Sequence, residues 1–88
     1  MKEFVFKIKA KNGLHARPAG MLATVAKGFE SEITIYKGEK SADCKRILGV
    51  MALGAVQGDE IRFVIDGRDE EEALKSMKEC CREWLSGE

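Results

Sequence analysis

The chain has 88 residues, enough for one hydrophobic core and so for one domain spanning residues 1–88. Fifteen basic and 15 acidic side chains cancel, which removes the basic excess of a nucleic-acid-binding domain, and no apolar run is long enough to form a membrane-spanning helix. The three cysteines, Cys44 and the adjacent pair Cys80 and Cys81, have neither disulfide-framework nor zinc-site spacing, so they read as small apolar side chains in a reducing cytoplasm.

Phe4, Phe6 and Ile8 alternate with Val5, Lys7 and Lys9, the period-two pattern of a strand with one buried face and unlike the continuous apolar run of a signal peptide. Then Pro18, Met21, Leu22, Val25, Ala26 and Phe29 recur at helical steps and predict a first helix that Gly28 closes. Ile33 and Ile35 alternate with polar neighbours, and Lys37-Gly38 turns the chain into a partner strand over residues 39–44. The run Ile47, Leu48, Val50, Met51, Ala52 and Leu53 is too continuous for an alternating strand and predicts a short apolar helix ended by Gly54. Ile61, Phe63 and Ile65 mark a fourth strand. Gly67 breaks it, Asp69 and Glu72 read as a capping-box variant, and Leu74, Met77, Cys81, Trp84 and Leu85 form the stripe of a third helix. Ser86-Gly87-Glu88 reads as a frayed tail. The order βαββαβα, with strands needing one buried face each, predicts an α+β open-faced sandwich with three helices covering one face of a four-stranded sheet.

Between the first strand and the first helix lies Asn12-Gly13-Leu14-His15-Ala16-Arg17-Pro18, with the only histidine and the only proline of the chain. Gly13 admits backbone angles closed to other residues, and Pro18 fits the first helical turn, where a missing N–H costs nothing. Such a helix start offers unpaired amides and a partial positive charge to an anion, and Arg17 adds a fork of donors suited to phosphate oxygens. An imidazole nitrogen with a free lone pair can act as a nucleophile there. The combination suits a histidine that takes and passes on a phosphoryl group, with Arg17 and the Ala16 backbone N–H holding the phosphate oxygens.

The segments Gly13-Leu14-His15-Ala16-Arg17-Pro18-Ala19, Lys45-Arg46-Ile47-Leu48-Gly49 and Leu53-Gly54 resemble the HPr family, the histidine-containing phosphocarriers of the bacterial phosphoenolpyruvate-dependent sugar phosphotransferase system. The resemblance covers essentially the whole chain. It implies an antiparallel sheet in the order 1-4-2-3, phosphorylation of His15 at Nδ1, and a stoichiometric carrier rather than an enzyme with turnover of its own. It further implies enzyme I as phosphoryl donor, enzyme IIA domains as acceptors, no cofactor or metal on the carrier itself, and no membrane insertion. Six apolar residues in two turns exceed what one buried face requires. In this family the second helix and the start of the first meet both partners, which implies an interface of Gly20, Thr24, Lys27, Ile47, Leu48 and Met51, with Lys45 and Arg46 drawing acidic partners. A patch that must stay open to two successive partners suggests a monomer.

Two positions depart from the family pattern. Many members carry a kinase-regulated serine where this chain has Arg46, and Gly20 costs about 1 kcal/mol relative to alanine inside a helix. Loss of the serine keeps open a regulatory paralogue in a nitrogen-related or other dedicated phosphotransfer branch. A small anion-binding domain without phosphotransfer is the remaining alternative.

Overall fold

The computed structural model describes residues 1–87. Its elements are β1 (Lys2–Lys7), α1 (Ala16–Lys27), β2 (Glu32–Lys37), β3 (Lys40–Asp43), α2 (Ile47–Ala52), β4 (Glu60–Asp66) and α3 (Glu70–Leu85). The four strands form one antiparallel sheet in the order β1-β4-β2-β3. The fold expected from alternation and helical periodicity is therefore present, including the strand order implied by the family resemblance.

Alternation decides which face is covered. Ile33, Ile35, Ile61, Phe63 and Ile65 point to the helices and are buried, joined by Leu22 and Ala26 of α1, Val50 of α2, and Met77, Cys81 and Leu85 of α3. Phe4 stacks on Phe63 with ring centroids 4.7 Å apart, extending this core to the β1 edge. On the opposite face Arg62 lies over the Tyr36 ring at 4.3 Å and reaches Glu3 at 3.3 Å, giving this face a polar surface towards solvent.

The turns carry most of the differences from the sequence reading. The hairpin turns at Gly38-Glu39 rather than Lys37-Gly38, since Lys37 still pairs with Lys40 and Gly38 has φ +60°. Gly28 ends α1 at φ −76°, without the left-handed conformation that usually selects glycine there. The capping-box bond at α3 falls two residues earlier than the Asp69 and Glu72 pair. Asp69 occupies the N-cap position but makes no side-chain cap, because its carboxylate accepts from the backbone N–H groups of Glu30 and Ser31 and from the Ser31 hydroxyl. Glu70 instead accepts from the Gly67 N–H at 3.1 Å. Asp69 thus ties the start of α3 to the turn before β2, and these bonds, led by the Ser31 hydroxyl, hold its carboxyl below the usual range.

The end of α3 is also more ordered than a frayed tail. The Leu85 carbonyl accepts from Lys9 and Ala10 at 2.9 and 3.1 Å, and the Ser86 hydroxyl donates to the Arg82 carbonyl. Glu88, the last residue of that tail, lies outside the described residues.

Candidate functional site

The loop from β1 to α1 is held from two sides. Gly13, at φ +65°, leaves its hypothetical Cβ 2.8 Å from both the Ala55 carbonyl oxygen and the Val56 Cα, so only glycine lets these two backbones touch. Leu14 is buried and donates its N–H to that same Ala55 carbonyl at 3.0 Å. The Lys9 and Ala10 amides bind the end of α3 on the other side. His15, which follows this anchored segment, is exposed while its backbone is fixed.

His15 is the N-cap of α1, with φ −87° and ψ −169°, and its side chain caps nothing. The first helical bond runs from the Ala19 N–H to the His15 carbonyl at 3.0 Å, and Pro18 has no N–H. Ala16 and Arg17 therefore contribute the free amides of the first turn, beside the positive end of a twelve-residue helix. Pro18 occupies the third helical position, deeper than a first-position proline but still within the turn that lacks partners. No acid stands in this turn to oppose an incoming anion. The ring of His15 opens onto a hollow of about 510 Å³ that Lys11, Asn12, Glu83, Trp84 and Ser86 help to line. The Arg17 guanidinium lies over the ring of Trp84, one of these lining residues, 5.5 Å from the centroid.

A model of one family, described as the PTS HPr component phosphorylation site, matches residues 2–83. The chain belongs to the HPr family. The HPr phosphocarrier of Mycoplasma capricolum is 43% identical over 79 residues, 90% of this chain and 89% of that protein. A solved Mycoplasma HPr structure superposes with a TM-score of 0.91 at 40% identity, covering 93% of each chain. HPr from Thermoanaerobacter tengcongensis gives 0.85 at 43% identity over 90% of this chain and 89% of its own, and has also been solved as a dimer.

The expected docking residues divide according to helix geometry. Val50 and Leu53 turn into the core, whereas Ile47, Leu48 and Met51 remain 38%, 77% and 38% exposed. Thr24 and Lys27 are exposed along α1, and Lys27, Arg46, Ile47 and Leu48 border one shallow hollow. A Cβ on Gly20 would come 3.3 Å from the Ile47 Cδ1, so this glycine leaves room for the tip of Ile47 between α1 and α2. Gly20 is thereby explained by packing within the chain. Lys45 departs from the expected role of a free cation: its ammonium donates to the Phe29 carbonyl at 2.8 Å and fastens the end of α1. Arg46 is the solvent-exposed cation of the pair, its guanidinium in an ion pair with Asp43 at 4.0 Å.

Trp84 is the site residue that helical periodicity alone does not reveal. Its spacing fits the apolar stripe of α3, and part of its ring does pack on the core. Only the docking of the Leu85 carbonyl on Lys9 and Ala10 brings that last turn beside His15. The three cysteines take no part in the hollow. They are buried, and removal from water pushes the Cys44 thiol up to about 12 and the Cys80 thiol to about 11, which makes them poor nucleophiles.

Proposed function

We propose that the protein is a cytoplasmic phosphocarrier that accepts a phosphoryl group on His15 from the phosphohistidine of an enzyme I-type donor and delivers it to a histidine of an enzyme IIA-type acceptor. The observation that carries this reading is the exposed, uncapped imidazole of His15 beside the free amides of Ala16 and Arg17 at the start of α1. In the first transfer the lone pair of a His15 ring nitrogen attacks phosphorus. The donor P–N bond breaks and its electron pair returns to the donor imidazole, so no proton is gained or lost overall. Charge on the three peripheral oxygens meets the two amides, the helix dipole and the Arg17 guanidinium. The second transfer reverses these roles with the acceptor.

A carrier must hold the group without trapping it. Surface amides and one exposed guanidinium, in contact with water, give moderate stabilisation that the next site can match. Ile47, Leu48 and Met51 form the apolar centre of the partner surface, with Thr24, Lys27 and Arg46 around it. The protein acts as a monomer, because pairing through this patch would close it to both partners. Replacement of a regulatory serine by Arg46 favours a dedicated branch as the second reading, separated from general sugar uptake by which acceptor takes the group.

A relay assay tests the proposal. Phosphoenolpyruvate, magnesium, enzyme I and an enzyme IIA acceptor should yield phosphorylated acceptor only when this protein is added, and His15→Ala should abolish the transfer. Undiminished transfer through His15→Ala would contradict it.

A further inference from the structure

We propose that Trp84 is the positioning residue for Arg17, a platform that keeps the guanidinium at the mouth of the His15 hollow until a phosphoryl group arrives. The inference rests on the carrier reading of His15 and concerns how this chain prepares its cation.

The indole is half-buried against the core and lines the same hollow as His15. The Arg17 guanidinium lies over its face at 5.5 Å. Among the described residues Arg17 makes no ion pair, although the exposed carboxylate of Glu83 lies next to Trp84 in sequence and lines the hollow too. The cation is therefore held by a neutral π face. That choice has a chemical consequence. A charge-assisted, forked bond to phosphate is stronger than an exposed cation–π contact, so the phosphoryl group can draw Arg17 off the ring when it forms and the ring can recapture it after release.

The platform is also fixed relative to the nucleophile. Leu85, the next residue, accepts the Lys9 and Ala10 amides, and the chain continues from there through the anchored loop to His15. Trp84 has only two side-chain torsions and one flank packed, whereas a solvent-borne arginine has many rotamers to search. Holding Arg17 near its working position removes part of that search from the transfer step.

The test compares the wild-type protein with Trp84→Phe, which keeps a π face, and Trp84→Leu, which keeps apolar packing without one. Phosphoramidate serves as donor so that protein docking plays no part; the His15 nitrogen attacks phosphorus, the P–N bond breaks, and ammonia leaves with the bonding pair. Trp84→Leu should take up the group about two- to five-fold more slowly, the cost of restoring part of the Arg17 rotamer search, with Trp84→Phe near wild type. In nuclear magnetic resonance spectra of the free protein, the Arg17 side-chain protons should lie upfield through the Trp84 ring current. They should move downfield on phosphorylation, and the upfield position should be lost in Trp84→Leu. Equal rates in all three folded proteins, or Arg17 signals that Trp84→Leu leaves in place, would overturn the assignment and leave the carrier reading standing. A wild-type protein that stays unmodified would overturn both.

Discussion

Replacing Asp69 by asparagine should loosen the joint between the start of α3 and the turn before β2, because the Ser31 hydroxyl and the Glu30 and Ser31 amides lose a charged acceptor. The carboxyl is held below its ordinary value of 3.8 in the folded protein, so its contribution is complete above that value and disappears as pH falls through the lowered one. Thermal unfolding from pH 7 to pH 2 should show Asp69→Asn less stable near neutrality and converging on the wild type in acid. A constant gap across that range would contradict the linkage. The position of Asp69 at the helix start is legible from sequence, but its partner is not. A carboxylate before a helix usually satisfies that helix, whereas here Gly67 packs so closely on Ser31, 2.6 Å from a hypothetical Cβ, that the turn before β2 becomes the nearer claimant.

At the scale of the element, Gly20→Ala separates two consequences of one contact. Alanine improves helix propensity by about 1 kcal/mol, and its methyl group meets only the mobile end of Ile47, at 3.3 Å. The thermal midpoint should hold or rise while affinity for the acceptor falls, because Ile47 must turn from its place in the docking patch. A lowered midpoint with unchanged affinity would show the opposite allocation. Periodicity identifies all seven elements here because each strand alternates cleanly and each helix buries one stripe. It also foresees that α2 has more apolar residues than its core side needs. It does not assign Lys45, whose ammonium folds back to the Phe29 carbonyl, since nothing local in Lys45-Arg46 distinguishes the cation that folds back from the one in solvent.

The whole molecule places an exposed apolar patch and two exposed cations, Lys27 and Arg46, around the approach to α2 although its net charge is zero. If acidic partners dock there, Arg46→Ala should lower the association rate a few-fold and flatten its salt dependence, with the dissociation rate near wild type. Stopped-flow binding at several ionic strengths would measure this; identical salt slopes would exclude the role. The loop motif, the helix start and the split of α2 are legible in sequence because their determinants lie within a few residues. The hollow is not, because it forms only when the last turn of α3 docks on Lys9 and Ala10, some 75 residues away in the chain.

The most direct measurement of the central claim is intact-mass spectrometry at neutral pH after incubation with phosphoenolpyruvate, magnesium and an enzyme I of proven activity, with His15→Ala alongside. One added, acid-labile phosphoryl group on the wild type and none on His15→Ala is the predicted result. A wild type left unmodified, or a variant modified equally, would contradict phosphoryl transfer through His15.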